Sequence, residues 1–198
     1  MDLLLIRHAR PEHIENAEGP ADPPLTEIGH RQAFAVAAWM AAEPIDALYV
    51  SPLVRARQTA APLERLVGME AVITDGVTEY DALHRTYVPI EVLRRDKDKW
   101  RDFLDRERIT DRADWNERVI GTLEGLIASH RGQRVAVVCH GGIINAWAAH
   151  VLDLGPRLFF NPDYTSVNRF AAASSGERSI VSLNETAHLR GAPDLRLS

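Results

Sequence analysis

Leu3-Leu4-Leu5-Ile6-Arg7-His8, read together with Val135-Ala136-Val137-Val138-Cys139-His140-Gly141-Gly142, decides the fold. Each is a short unbroken apolar run that ends on a histidine, and runs of this kind are strands buried on both faces, as in the centre of a parallel sheet. Ligands of such sheets bind beyond the carboxyl ends of the strands. The two imidazoles are therefore expected at the ligand edge of one sheet, with the Arg7 guanidinium beside the first.

Working outward, helical and strand patterns alternate. A polar loop runs from about Ala9 to Pro24. Thr26 then reads as an N-cap, followed by Ala33, Val36, Ala37 and Met40 at the spacing of a buried helical stripe. Asp46 to Val50 is expected as a strand. Ser51 with Pro52 reads as an N-cap and first-turn proline opening a helix with Leu53, Ala56, Ala60, Leu63 and Val67 on its apolar face. Glu70 to Thr74 is a short strand candidate.

From Asp75 to about Thr110 the sequence is polar and arginine-rich, an excursion over the sheet edge. A helix with Trp115, Val119, Thr122 and Leu126 on one face precedes the second histidine strand, and Ile143, Trp147 and Val151 mark the helix after it. Ser166 to Ala172 and Ser179 to Leu183 are two more strands. The order predicts an α/β protein, a three-layer α/β/α sandwich with a mostly parallel central sheet and an excursion over the active-site edge. Residues 1–198 are expected to form a single domain.

The chain of 198 residues, with 45% hydrophobic and 26% charged residues, has the composition of an ordinary globular protein. Its net charge of −5 supplies no general attraction for nucleic acid or an anionic membrane. No apolar run approaches the roughly 20 residues needed to span a bilayer. The lone cysteine, Cys139, excludes an intramolecular disulfide, so a cytoplasmic location is expected.

Any anionic ligand must then be held by local cations. Arg55 lies in the first turn of the Ser51 helix, where free N–H groups and the helix dipole already favour an anion. Arg7, His8, Arg55 and His140, converging from three strand-to-helix junctions, describe a phosphate pocket. Imidazole attack on a phosphoryl group needs chiefly in-line positioning and neutralisation of the equatorial oxygens.

These residues carry a resemblance. Leu-Ile-Arg7-His8-Ala9, Pro24-Leu25-Thr26-x-x-Gly29-x-x-Gln32-Ala33, Ser51-Pro52-Leu53-x-Arg55-Ala56-x-Gln58-Thr59-Ala60 and Val-Cys-His140-Gly141-Gly142 together resemble the phosphoglycerate mutase-like, or histidine phosphatase, superfamily. Asn184-x-x-x-His188-Leu189 is similar to its C-terminal pattern. The resemblance implies that His8 is the nucleophile that becomes phosphohistidine and that Arg7, Arg55 and His140 bind the transferred group. It implies a carboxylate proton donor after the Arg55 helix, for which Glu79 is the best match, with Asp81 and Glu12 as competitors. It also implies that the variable segment at about 75–110 is a cap that selects the substrate.

Three positions depart from the family pattern. Ala9 replaces the usual glycine, Ile14 stands where an asparagine is common, leaving the role of nearby Asn16 open, and Arg10 stands where Glu or Gln is frequent. Arg10 and Arg57 read as surface cations. Arg85, Arg94 and Arg95 are candidates for recognising an anionic substrate tail.

Other chemistries fit worse. A cysteine phosphatase needs an arginine six residues after its nucleophile, and six after Cys139 is Asn145. Cys139 reads as a core residue. Neither a zinc-type histidine pair, nor G-x-G-x-x-G, nor a P-loop occurs, so no metal or cofactor is expected. The expectation is a phosphomonoester hydrolase working through phosphohistidine on a small phosphorylated metabolite. The alternatives are a phosphoglycerate-type mutase, disfavoured because Asp81-Ala82-Leu83-His84 stands where the mutases carry Arg-His-Tyr-Gly, and a silent phospho-ligand binder. Oligomeric state is open, with a homodimer allowed.

Overall fold

The first strand, buried on both faces, builds the layers. In a computed structural model describing residues 1–109, 112–155 and 157–196, Leu3 and Leu5 of β1 (Asp2–Arg7) face one core and Leu4 and Ile6 the other. Strand side chains point alternately to opposite faces, so a fully apolar strand must be covered twice. The first core is closed by α5 (Ala113–Ser129) and α6 (Gly141–Val151), through Val119, Leu123, Ile143 and Trp147. The second is closed by α1 (Glu27–Met40) and α2 (Val54–Val67), through Val36, Met40, Ala60 and Leu63.

Between these helices lies a six-stranded sheet of order β3-β2-β4-β1-β5-β6, in which β2 is Ala47–Val50, β3 Val72–Ile73, β4 Arg134–Cys139, β5 Val167–Ala172 and β6 Arg178–Glu185. The pairings of β4 with β1 and β2, and of β2 with β3, are parallel, whereas β5 runs antiparallel to both β1 and β6. The expected three-layer sandwich with a mostly parallel sheet is thus the observed architecture.

Two local readings are corrected. The α2 N-cap is Leu53, whose side chain makes no cap bond. The Ser51 hydroxyl is engaged by His140 instead, at 2.7 Å, and the Asp22 carboxylate accepts from the Val54 N–H at 3.0 and 3.1 Å. The buried stripe of α5 is Asn116, Val119, Leu123 and Ile127, one position on from Thr122 and Leu126, which flank it half-buried. Asn116 keeps its amide satisfied by donating to Arg112 O at 2.9 Å, so a polar residue fills a core position. By contrast the expected cap of α1 is present, with Thr26 Oγ1 accepting from Gly29 N at 2.9 Å.

The excursion after β3 carries two helices, α3 (Ile90–Leu93) and α4 (Lys97–Ile109); its expected end at Thr110 lies outside the described residues. It is fastened to the polar loop after β1. Ile14 and Tyr87 form an antiparallel bridge, Ala17 N donates to Arg85 O at 2.8 Å, and Ala21 N to His84 O at 2.7 Å. Two irregular segments far apart in sequence thereby wall one side of the sheet edge.

Candidate active site

Register brings the strand ends together. Ile6 pairs with Val138 and Val138 with Val50, so the residues that follow each strand stand side by side at one edge. His8 N donates to Cys139 O at 2.9 Å and Ser51 N to Val138 O at 3.0 Å, carrying the pairing just past the strands. The His8 and His140 rings are consequently 5.1 Å apart. His8 lies at the floor of a cleft of about 750 Å³ whose lining also includes Arg7, Arg55, Glu79 and Asp81, and His140 is fully buried beside it.

His8 is buried, with Nδ1 2.8 Å from the carbonyl oxygen of Ala9. A carbonyl only accepts, so Nδ1 carries the hydrogen and Nε2 presents its lone pair. Burial holds the His8 pKa well below the usual histidine value, and the Arg55 and Arg7 charges push it in the same direction. The ring is therefore neutral across the physiological range. His140 is shifted likewise, by burial, Arg55, His8 and Arg7. Its Nε2 meets Ser51 Oγ at 2.7 Å, while Leu53 N approaches the same oxygen at 3.4 Å. The Ser51 oxygen can accept from Leu53 while its one hydroxyl proton points to Nε2, and in that arrangement the His140 hydrogen lies on Nδ1.

Arg7 donates through Nη1 to Pro162 O and lies over the Tyr164 ring, 4.2 Å from its centroid. Arg55, 1% exposed, is flanked at 3.6 Å by Asp22 and at 3.7 Å by Asp81 and lies over the Tyr87 ring at 4.6 Å. Those carboxylates stand beyond hydrogen-bond length. Arg7 Nε, Arg55 Nε, Arg55 Nη1 and His140 Nδ1 are buried without a hydrogen-bond partner. Buried donors are rarely left so, and a cluster of them calls for a ligand with several acceptor oxygens.

Glu79 faces this cluster from the segment after β3. Its Oε2 accepts from Gly142 N at 2.8 Å and its Oε1 from Tyr80 N at 3.1 Å. Burial, reinforced by the Asp81 charge, pushes its pKa up to about 7, against the lowering pull of those two N–H groups and of Arg55. A Cβ at Gly142 would lie 2.3 Å from Glu79 Oε1, so glycine is what allows the carboxylate to sit against the start of α6.

Other sequence candidates lie elsewhere. Asn16 is exposed, in the left-handed region at φ 53°, with its N–H on Thr86 Oγ1 at 3.2 Å, and it does not line the cleft. Glu12 is exposed and outside the cleft, as are Arg57, Arg85 and Arg95. Arg10 is paired with Glu91 at 3.3 Å. Arg94 does line the cleft. Cys139 is buried with its thiol pushed up, which suits a core residue.

Sequence reasoning missed Asp22, Tyr87, Tyr164 and Asn145, and assigned Ser51 only to a helix cap. Asn145, one turn into α6, donates to Gly141 O at 2.9 Å and Phe160 O at 3.0 Å, and its spacing from Gly141 was a usable signal. Among the described residues no group of three or more His, Cys, Asp or Glu could hold a metal ion, and no helix is long and apolar enough to cross a membrane.

A family model for the histidine phosphatase superfamily, branch 1, matches residues 3–186. The chain belongs to the histidine phosphatase superfamily. Phosphoserine phosphatase 1 of Hydrogenobacter thermophilus is 29% identical over 200 residues, covering 94% of this chain and 93% of that protein. A probable phosphoglycerate mutase GpmB of Yersinia enterocolitica is 27% identical over 167 residues, covering 79% and 77%. The crystal structure of a phosphoserine phosphatase mutant from Entamoeba histolytica, in complex with phosphoserine, superposes with a TM-score of 0.74 at 26% identity, covering 95% of this chain and 98% of that one. This histidine phosphatase thus shares its fold with a phosphoserine phosphatase, an enzyme of a small phosphorylated metabolite.

Proposed function

We propose that the protein hydrolyses a small phosphomonoester through a phosphohistidine on His8, with residues 1–198 acting as one catalytic unit. The observation that carries the reading is the pairing, across one cleft floor, of a neutral imidazole exposing Nε2 with a carboxyl group whose pKa is about 7. His8 Nε2 attacks phosphorus, the P–O bond to the alcohol breaks, and the departing oxygen takes the Glu79 proton. Water then attacks the phosphohistidine as Glu79, now a carboxylate, accepts its proton; the N–P bond breaks and inorganic phosphate leaves. Arg7, Arg55 and His140 Nδ1 hold the equatorial oxygens throughout. Asp81 sits by Arg55 and supports Glu79 by raising its pKa. The segment at about 75–110 acts as the cap that selects the alcohol.

The test is release of inorganic phosphate from a phosphomonoester panel by wild-type protein and Glu79→Gln. Glu79→Gln is expected to slow alkyl phosphates by on the order of 10²-fold and a nitrophenyl phosphate far less, because nitrophenolate leaves without a proton. The acid works protonated, so wild-type activity falls as pH rises through about 7, and the variant loses that alkaline limb. Equal slowing of both substrate types removes Glu79 as the acid. Phosphoryl transfer between phosphoglycerates without net phosphate release would make the protein a mutase.

Ser51 is a positioning residue in this scheme, acting through the His140 tautomer. Ser51→Ala is expected to lower kcat/KM about tenfold, the scale of one lost buried hydrogen bond. Unchanged kcat/KM in a folded variant would show that the hydroxyl does not set which nitrogen faces the phosphate.

A further inference from the structure

Away from its charged floor the same cleft changes character. Trp100 and Phe103 on α4 stack with ring centroids 5.4 Å apart and planes 21° apart. Phe159 and Phe160, in the segment after α6, form a second pair at 5.1 Å. All four line the cleft. Phe159 is 38% exposed, so apolar surface is left for an occupant. The second pair is not loose: the buried Asn145 amide accepts from Phe159 N at 3.0 Å and Phe160 N at 3.3 Å. Two elements distant in sequence therefore hold aromatic surface ready beside the phosphate end.

Such walls gain nothing from a compact polar ester. A three-carbon acid phosphate has almost no apolar area to cover them, and it would want cations spaced for its carboxylate. Of the cations that line the cleft, Arg7 and Arg55 belong to the phosphate end, Arg94 lies over the Trp100 ring, 5.2 Å from its centroid, and Arg157 at the exposed rim donates through Nε to Gly155 O at 3.3 Å. A volume of about 750 Å³ is also that of a site for a ligand well beyond three carbons.

We propose, resting on the hydrolase reading above, that the preferred substrate is the phosphomonoester of a bulky, ring-bearing apolar alcohol. Its ring system lies against the Trp100–Phe103 and Phe159–Phe160 walls while its phosphate occupies the floor. Burying the ring costs no charge, and aromatic contacts add to the area term.

Ethyl, 2-phenylethyl and 2-(2-naphthyl)ethyl phosphates test this, because their leaving groups have closely similar pKa values and differ in apolar area. Wild-type kcat/KM is expected to rise on the order of 10²-fold from the first to the last. Phosphoserine and 3-phosphoglycerate should rank with ethyl phosphate. In Trp100→Ala and in Phe159→Ala the naphthylethyl-to-ethyl ratio is expected to fall about fivefold or more, mainly through KM. The ratio is taken within one protein, so a partly misfolded variant leaves it unchanged. A flat series, a preference for phosphoserine or 3-phosphoglycerate, or an undiminished ratio in both variants overturns the substrate class and leaves the hydrolase intact. Phosphate release from no ester overturns the hydrolase reading and this one with it.

Discussion

His8→Ala is expected to reduce phosphomonoester hydrolysis to background, for an activated aryl phosphate as well as for alkyl esters. The aryl ester matters because it needs no proton from Glu79, so its loss isolates the nucleophile from the acid. In the proposed mechanism the imidazole Nε2 is the atom that bonds to phosphorus, and the neighbouring His140 is not placed to substitute for it. Its Nε2 is occupied by Ser51 at 2.7 Å. An acid-labile, base-stable phosphoryl label should be trapped on wild-type protein and be missing from the variant. The small cavity left by removing the ring is lined by polar and charged groups that gain water, so the variant should still fold. Wild-type-like turnover, or a label that persists in His8→Ala, would eliminate the phosphohistidine route.

Arg55→Ala should lower kcat/KM by on the order of 10²-fold or more, the usual consequence of removing a donor to developing phosphoryl charge. The same charge holds the His8 and His140 pKa values down and pulls the Glu79 pKa down. Its removal lets all three rise. A nucleophile must be deprotonated, so a raised His8 pKa moves the acid limb of the pH profile upward. An acid must be protonated, so a raised Glu79 pKa moves the alkaline limb upward as well. The residual activity of Arg55→Ala should therefore peak at higher pH than wild type. Arg55→Lys keeps the charge but not the planar fork, so it should restore the pH optimum better than the rate. A loss below tenfold, with an unmoved optimum, would place Arg55 outside the reacting site.

Much of the frame was legible without coordinates because it rests on local pattern. Apolar runs of four and five residues, Leu3–Ile6 and Val135–Cys139, announce doubly covered strands whatever surrounds them. The Thr26 cap and the Ala33, Val36, Ala37, Met40 stripe follow from helix periodicity alone, and both are present. The α5 stripe was misplaced by one residue because Asn116 is polar in sequence and buried in the fold, where its own helix satisfies it. Ser51 was read as a cap because Ser-Pro is a helix-start signal. Nothing local shows that an imidazole from a strand more than 80 residues away claims the hydroxyl and that Asp22 takes over at the helix end.

The sequence by itself determined the layer order, the strand ends, and the residue types from which a phosphate site could be made, since those depend on hydrophobic period and on which groups carry charge or a lone pair. Only the tertiary structure decided which groups face one another. The Ile6, Val138 and Val50 register sets His8, His140 and Ser51 in a row, burial drives both histidines neutral and Glu79 to about 7, and the Ile14–Tyr87 bridge holds the Tyr87 ring against Arg55. Burial and electrostatic coupling are properties of distance and solvent exclusion, and neither exists until segments distant in the chain are packed against each other.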